Sequence, residues 1–328
     1  MKISEVRERI KGYTNEELTY LVAELYKAMP KAMREEKDVD DLVMDPHPKQ
    51  KKKKEETIDE DALFYDVSLF LAHAYERNFI VPNRSIQKKN RSRWRFMVKD
   101  YMKKLSMISV NTPNGKKATD YIVQLYEMLT YACTVYLFNT EDPFRSIGIT
   151  QPSMFRQVIA RLLVPGSDEE MLKKAIDLTV KNEYSMDTMH YDIILSMVLN
   201  LKETPYVPIM EQMLLDRIAE NEKQLQVKKK QETKVNLYVH NHLIYFLGAL
   251  YIHTGKGDKG IRYMKKHLCN TESTNLYEIL FILYLLDETE LFEQLYAETE
   301  RKHEITGTLK HAHERLIETG TWDEYEES

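Results

Sequence analysis

The sequence predicts an all-α protein in which antiparallel helical hairpins stack as an irregular α-solenoid behind a helical N-terminal region. Apolar residues recur with a period of about 3.6 in almost every segment, which is typical of amphipathic helices. Glycine and proline number 10 each among 328 residues, against ordinary usage of roughly 7% and 5%. No alternating β-branched run of strand length occurs. Helices joined by short loops pack as antiparallel neighbours, which gives the hairpins.

The N-terminal helices are predicted in residues 1–45, and they include a capping box. Thr14 and Glu17 have the spacing at which each side chain satisfies a free backbone N–H of the other. Residues 46–58 combine two prolines with a lysine run, so we expect a charged, protease-sensitive linker. A loop that contacts nucleic acid is the alternative for this segment. The apolar residues that share one face of the first long helix are Leu18, Leu21, Val22, Leu25 and Met29.

The region 59–150 is predicted to contain a strongly basic helix. Residues 139–152 hold two prolines and a glycine, which break helices and place a domain boundary near residue 150. A helical-hairpin repeat region then covers residues 151–328 and has a second capping box at Ser167–Glu170. The helices predicted before the boundary run from about Asp59 to Arg77, from Asn90 to Ile108 and from Ala118 to Phe138.

Charge is distributed unevenly along a chain whose formal net charge is −5. Between Arg77 and Lys104 there are ten Lys or Arg and one acidic residue, whereas residues 287–328 contain thirteen acids and four Lys or Arg. The two cysteines, Cys133 and Cys269, are too few for a disulfide framework or a four-thiolate zinc site.

No segment has the pattern of a membrane span. The longest apolar-leaning stretch, Leu237–Ile252, is interrupted by His240, Asn241 and His242 and is shorter than the roughly 20 residues that a spanning helix needs. The first residues are charged without a following apolar run, so we expect no signal peptide. These features predict a cytoplasmic protein with no membrane partner.

One hairpin carries the pattern of a known repeat. Its residues are Ile244, Leu247, Gly248, Tyr251, Gly255, Asp258, Gly260 and Met264. This segment, about residues 241–274, resembles a tetratricopeptide repeat, and the wider series of hairpins is similar to tetratricopeptide or HEAT arrays. The resemblance implies that the Leu-Gly pair lets the first helix pack close to the second. It also implies that Tyr251 packs between the helices and that Gly255 ends the first one. Gly260 stands where the family usually has alanine, and the family's late proline is absent.

The most informative stretch is the basic helix, predicted at residues 91–105. Trp94, Met97, Val98, Tyr101 and Leu105 have helical spacing and should bury one face. Arg91, Arg95, Lys99 and Lys103 lie four apart, so we expect them to share the opposite side of the helix. Together with the cations at its entrance they form what we call the cationic surface. Its residues are Arg84, Lys88, Lys89, Arg91, Arg93, Arg95, Lys99 and Lys103.

Three interpretations of the cationic surface remain open from the sequence. The first is a solvated helix face or a set of cations paired with the chain's own acids. The second is a binding site for an acidic or anionic partner, because arginine offers bidentate donors to carboxylates and phosphates. The third is nucleic-acid binding. The overall acidity of the chain and the lack of a helix-turn-helix, zinc-finger or aromatic RNA-binding pattern weigh against the third.

Catalytic, cofactor and metal patterns are missing from the sequence. It contains no nucleophile elbow, no P-loop and no His-Glu-x-x-His pair, and its closely spaced glycines follow a helix instead of a strand. His240 and His242 are two residues apart, so they point to different sides of a helix and cannot share one ion. Cys133 lies among apolar neighbours that favour a buried, inert thiol. We therefore expect no cofactor, no metal and no catalytic residue.

The first functional hypothesis is a non-catalytic interaction scaffold that binds a protein or peptide in the groove of stacked hairpins. The 21 tyrosines and 16 methionines agree with this, since both are common on adaptable binding surfaces. The alternatives are a nucleic-acid-binding protein that uses the basic helix, or an enzyme whose site assembles from distant helices. The sequence itself specifies neither the partner nor the oligomeric state.

Overall fold

The computed structural model describes residues 3–36, 39–44, 58–201, 204–227 and 230–321, and these residues form helices and connecting segments without a strand. The predicted all-α class is confirmed. The chain divides into two compact units, residues 1–58 and 59–328. The helices of the first unit are α1 Ile3–Ile10, α2 Asn15–Ala28, α3 Lys31–Glu36 and α4 Val39–Met44.

The second unit contains the other helices. Its residue 150, where a boundary is predicted, lies between α8 and α9 of the same unit. The helices are α5 Glu60–Tyr75, a 3-10 helix Lys88–Arg93, α6 Trp94–Met107, α7 Gly115–Ala132, α8 Pro143–Ile147, α9 Gln151–Leu162, α10 Glu169–Val180, α11 His190–Leu201, α12 Val207–Val227, α13 Lys230–His253, α14 Gly257–His267, α15 Glu272–Leu285, α16 Thr289–Glu300 and α17 Thr308–Thr319.

In the first unit, the predicted capping box at the start of α2 is confirmed. The Thr14 hydroxyl accepts a hydrogen bond from the Glu17 backbone N–H, and the Glu17 carboxylate accepts one from the Thr14 N–H. The apolar face of α2 remains uncovered, however. No α2 residue is buried by the described part of the chain, and Val22 and Leu25 are more than half exposed. The predicted linker 46–58 lies almost wholly outside the described residues.

Helices α5, α6 and α7 pack on one another around an aromatic core. The predicted inward residues of α6 are buried except for Met97, which is half-buried. The ring of Trp94 stacks on Phe138, with centroids 4.0 Å apart and an interplanar angle of 14°. Phe70 of α5 contacts both Tyr101 and Phe138. Burial of these large rings fixes how α6 is rotated against its neighbours.

Helix α7 ends earlier than predicted. The periodicity extends the helix to Phe138 with Val135 and Tyr136 inward, but the helix stops at Ala132 and Tyr136 is 59% exposed. Leu137 and Phe138 are buried instead. The turn after Ala132 brings the Phe138 ring under Trp94, so tertiary stacking overrides the local helical pattern.

Two further predicted helix starts are also shifted. The helix predicted from Asn90 to Ile108, which contains the basic segment 91–105, begins at Trp94, because residues 88–93 adopt a 3-10 helix. The second capping box is wrong by one residue: Asp168, not Ser167, caps α10 by accepting the Met171 N–H. Ser167 is already engaged, since its hydroxyl donates to the Val164 carbonyl and its N–H donates to Tyr206.

Helices α13 and α14 form a hairpin in which the two helices lie very close to each other. A Cβ built on Gly248 would lie 2.4 Å from Met264 Cγ, and one built on Gly260 would lie 2.6 Å from the Gly248 carbonyl oxygen. Gly255, at φ 77°, ends α13 in the left-handed conformation that glycine adopts most easily. The tight contact leaves no room for a side chain at position 260.

Tyr251 is the buried side chain that ties this hairpin to α12. It is 2% exposed, and its hydroxyl donates to Glu211 at 3.0 Å. The Lys259 ammonium lies 3.8 Å from the centroid of the Tyr251 ring and also bonds Glu211.

Among the helices that the structure describes, none is both long and apolar enough to cross a membrane.

We predict that Gly260→Ala destabilises the second unit by about 1–3 kcal/mol, as overpacking usually does. The helix propensity of alanine offsets about 1 kcal/mol of the loss, but the clash dominates because a backbone carbonyl cannot rotate away. Urea unfolding followed by circular dichroism measures the change. Gly12→Ala is the control, since a Cβ there has only Arg9 O nearby, at 3.9 Å. Equal stability of Gly260→Ala and wild type would contradict this packing.

Candidate functional site

Helix α6 exposes Arg95, Lys99 and Lys103 of the cationic surface because its other side is anchored. Trp94, Val98 and Leu105 are at most 4% exposed. Residues half a turn away from them must therefore face solvent. Arg95, Lys99 and Lys103 occupy that exposed side, and over eight residues α6 rises about 12 Å.

The structure places the eight predicted cations unequally. Seven of them are exposed, but Arg91 is half-buried and its Nε–H donates to the Ile86 carbonyl at 3.3 Å. The four-residue spacing from Arg91 to Arg95 does not produce a shared face, because residues 88–93 wind with three residues per turn. The prediction that Arg91 aligns with Arg95, Lys99 and Lys103 is therefore wrong.

Most of the cationic surface is not neutralised by the described part of the chain. Asp100, the acid within α6, pairs with Lys104 at 2.7 Å. Lys104 does not belong to the cationic surface. Arg95 Nε donates to the Ser92 carbonyl at 3.4 Å, which leaves its positive charge uncompensated. The members of the cationic surface that take part in none of the ion pairs among the described residues are Arg84, Lys88, Lys89, Arg91, Arg93, Arg95 and Lys99.

Two exposed apolar side chains lie within this charged face. Phe96 is 67% exposed and Met107 is 53% exposed. At about 100° per residue, Phe96 lies about 20° and Met107 about 40° from Lys103 around the helix. Phe96 is thus at the centre of the exposed face, with the cations of α6 beside it. The prediction from the sequence does not include these two residues, although their spacing of eleven positions places them on the same side of a helix.

This arrangement can bind an anion and an apolar group together. Arginine guanidinium groups accept carboxylates or phosphates in a bidentate geometry. An exposed aromatic ring next to them provides the kind of anchor that carries much of the binding energy at protein interfaces. No group in this surface is positioned as a nucleophile with an adjacent base.

Two histidines of α13 are buried in the core. His240 and His242 are each 2% exposed. His240 Nε2 lies 3.2 Å from the His267 carbonyl, whereas His242 Nδ1 lies 3.2 Å from the Val180 carbonyl. The two rings point to different neighbours, as their spacing predicts. Within the described residues, no group of three or more His, Cys, Asp or Glu is arranged to hold a metal ion.

A half-buried histidine–carboxylate pair adjoins His242. His190, at the start of α11, lies 3.3 Å from Glu278 of α15 through its Nε2. Its ring also stacks on His242, with centroids 5.0 Å apart and an angle of 13°. Burial is the main cause that lowers the pKa of His242 to about 3, and the neighbouring His190 is the second cause. His242 is therefore neutral near pH 7, and the cluster connects helices α11, α13 and α15.

Cys133 also fits a non-reactive role. The residue is half-buried, and its thiol donates to the Leu129 carbonyl at 3.5 Å. Burial, then the nearby charges of Asp142 and Glu183, raise the pKa of Cys133 to about 12. The thiolate, which is the nucleophilic form, is therefore scarce near neutral pH.

Comparisons of this chain with protein-family models, with curated proteins and with solved structures found no match.

We predict that His242 makes the fold acid-sensitive. The unfolded chain has a histidine pKa near 6.5, so it binds a proton on acidification that the folded His242, with a pKa of about 3, does not. This difference removes stability as the pH falls from about 6.5, and it amounts to about 2 kcal/mol between about pH 7 and about pH 5.

The variant His242→Asn tests this assignment. Asparagine keeps an N–H donor near Val180 and does not titrate, so the loss of unfolding free energy between about pH 7 and about pH 5 should shrink by about 2 kcal/mol. His311→Asn, whose side chain is 80% exposed, should keep the wild-type pH dependence. Urea unfolding at each pH gives the values. An unchanged pH dependence in His242→Asn would disprove the assignment.

Proposed function

We propose that this chain is a non-catalytic interaction scaffold that binds an acidic protein segment on its cationic surface. The single observation that carries the proposal is the exposed face of α6. There, Arg95 and Lys99 have no acidic partner among the described residues, and the aromatic ring of Phe96 is exposed beside them. A partner segment that combines carboxylates with an apolar side chain satisfies both features at once.

The proposed scaffold is an irregular α-solenoid made from the hairpins of residues 151–328. The close contact of α13 with α14, the packing of α15 on α16 and the contact of α14 with α15 support such a stacking. The tetratricopeptide-like use of Gly248, Tyr251 and Gly255 supports it as well. In this proposal the stacked hairpins provide a groove for a protein or peptide, and the cationic surface of the preceding helices provides an electrostatic contact.

A protein partner is favoured over nucleic acid by the size and composition of the surface. From Arg95 to Lys103 the helix rises about 12 Å, which is the length of about four residues of an extended peptide. Met107, which is 53% exposed, adds apolar area that a phosphate backbone does not use. The formal net charge of −5 also repels a long polyanion more strongly than a short acidic segment.

We predict that Arg95→Glu/Lys99→Glu abolishes partner binding while the fold remains intact. Both residues are exposed, and surface charges typically contribute less than about 1 kcal/mol to stability. The control is Arg262→Glu/Lys266→Glu, which reverses an exposed arginine and lysine with the same four-residue spacing on α14. The measurement is quantitative affinity capture from native cells, followed by anisotropy titration of the purified chain with an acidic segment of the captured protein.

The expected result is a protein that wild type and the α14 control recover equally, that the α6 variant does not recover, and whose binding weakens as salt rises. Recovery that depends on intact nucleic acid would replace the acidic-protein partner by the nucleic-acid alternative. Binding that is indifferent to both salt and the α6 substitutions would remove the cationic surface from the function. A large loss of stability in the α6 variant would show that these cations are structural.

We further predict that Phe96→Ala lowers partner affinity about tenfold or more, as expected for loss of an aromatic anchor worth about 1.4 kcal/mol or more. Because Phe96 is 67% exposed, the unfolding midpoint should stay near the wild-type value. Tyr65→Ala is the control, since it removes an aromatic ring with the same 67% exposure from α5. An unchanged affinity in Phe96→Ala would mean that the contact is purely electrostatic.

A further inference from the structure

A cavity of about 330 Å³ lies in the second unit, outside the cationic surface. Its walls come from the end of α7 with the turn that follows, and from the segment between α10 and α11. The residues that line it are Ala132, Cys133, Thr134, Val135, Tyr136, Thr140, Glu141, Tyr184 and Met186. The cavity exists because α7 stops at Ala132 and the chain turns away from the helix axis.

The two walls are held together by buried hydrogen bonds. Asp142, which is 6% exposed, accepts the Arg145 N–H at 3.0 Å and the Met186 N–H at 3.3 Å. The fully buried Gln151 donates to the Glu183 carbonyl and accepts from the Ser185 N–H, each at 2.8 Å. The segment that carries Tyr184 and Met186 is therefore fixed to the rest of the unit. A site fixed in this way loses little conformational entropy when a ligand binds.

The cavity has negative charge without a compensating cation in its walls. Glu141 is the one charged residue that lines it, and the carboxylates of Glu141 and Glu183 take part in no ion pair among the described residues. The basic residues that flank these segments in sequence, Arg145 and Lys181, do not line the cavity, and Lys181 pairs with Asp177 at 3.0 Å.

The surroundings of the Cys133 thiol in the cavity wall are also unfavourable to negative charge. Burial is the largest reason that its pKa is raised, and the charges of Asp142 and Glu183 raise the pKa further. Both contributions disfavour an added negative charge at this wall of the cavity.

Two tyrosines supply aromatic surface to this negative cavity. Tyr136 is 59% exposed, and Tyr184 is half-buried. Aromatic ring faces attract cations through the ring quadrupole, most strongly where water is partly excluded. We propose that this cavity binds an organic cation, an alkylammonium or guanidinium group, between the tyrosine rings and the Glu141 carboxylate.

The proposal goes beyond the scaffold function and does not depend on it, because it rests on residues that the cationic surface does not share. The side chain of a lysine or arginine in a bound protein segment and a free amine present the same chemistry to the cavity. A side chain of a protein segment is accompanied by a peptide backbone that can also contact the protein, whereas a free amine is not. Ligands with and without the backbone amides therefore distinguish the two sources.

The experiment is a titration of the full chain with N-acetyl-lysinamide, monitored by NMR of the Met186 methyl group, which lies in the cavity wall and is 67% exposed. N-acetyl-norleucinamide is the matched neutral ligand, since it has an alkyl side chain without the ammonium group. Butylammonium represents the free amine. We expect N-acetyl-lysinamide to bind about tenfold or more tightly than N-acetyl-norleucinamide, the factor that 1.4 kcal/mol provides.

Glu141→Gln/Glu183→Gln removes the two charges and keeps the shape of the side chains, and it should weaken lysinamide binding by a similar factor. Glu293→Gln/Glu300→Gln, two exposed carboxylates on α16, should leave it unchanged. Tighter binding of N-acetyl-lysinamide than of butylammonium assigns the cavity to a protein side chain, and equal binding assigns it to a free amine. Equal binding of the lysine and norleucine ligands would overturn the proposal, as would wild-type affinity in Glu141→Gln/Glu183→Gln.

Discussion

The stacking of Trp94 on Phe138 constrains both surfaces proposed for binding. With ring centroids 4.0 Å apart and both residues at most 4% exposed, the pair fixes the rotation of α6 and directs Arg95, Phe96 and Lys99 to solvent. The same contact requires the chain to leave α7 at Ala132, because Phe138 could not lie under Trp94 if the helix continued. The turn that results forms one wall of the cavity. One aromatic contact in the core thus sets the geometry of a basic face and of an acidic pocket.

The two surfaces have opposite charge, and each combines charge with aromatic area. On α6 the exposed ring of Phe96 lies among cations, whereas in the cavity two tyrosines accompany Glu141. Such pairing of aromatic rings with charged groups is more typical of recognition sites than of ordinary solvated helix faces. Glu211 and Gln151 have structural roles, since each connects separate segments through hydrogen bonds.

The sequence predicts features that depend on local rules and fails where a distant contact decides. Periodicity correctly identifies the buried face of α6, and the Thr14 capping box forms as its spacing requires. Tyr136 is assigned to the wrong side because Phe138 pairs with a residue more than forty positions away. The N-cap of α10 is Asp168 because the hydroxyl of Tyr206 engages the N–H of Ser167. The cavity has no sequence signal at all, since its walls are irregular segments that only the fold brings together.

Exposed charge alone is weak evidence for function. The exposed apolar residues on the same helix face add evidence that the charges do not provide. A solvated lysine or arginine costs the fold almost nothing, so a row of cations on a helix is compatible with no role. An isolated exposed apolar side chain is equally ordinary. Phe96 and Met107 are informative because they lie on the same side of α6 as Lys103, on a face that also exposes Arg95 and Lys99. Desolvation of that face by a partner would gain apolar burial and would strengthen each neighbouring charge interaction, because removing water lowers the local dielectric. The coincidence of the two features, more than either one alone, supports a binding role for the cationic surface.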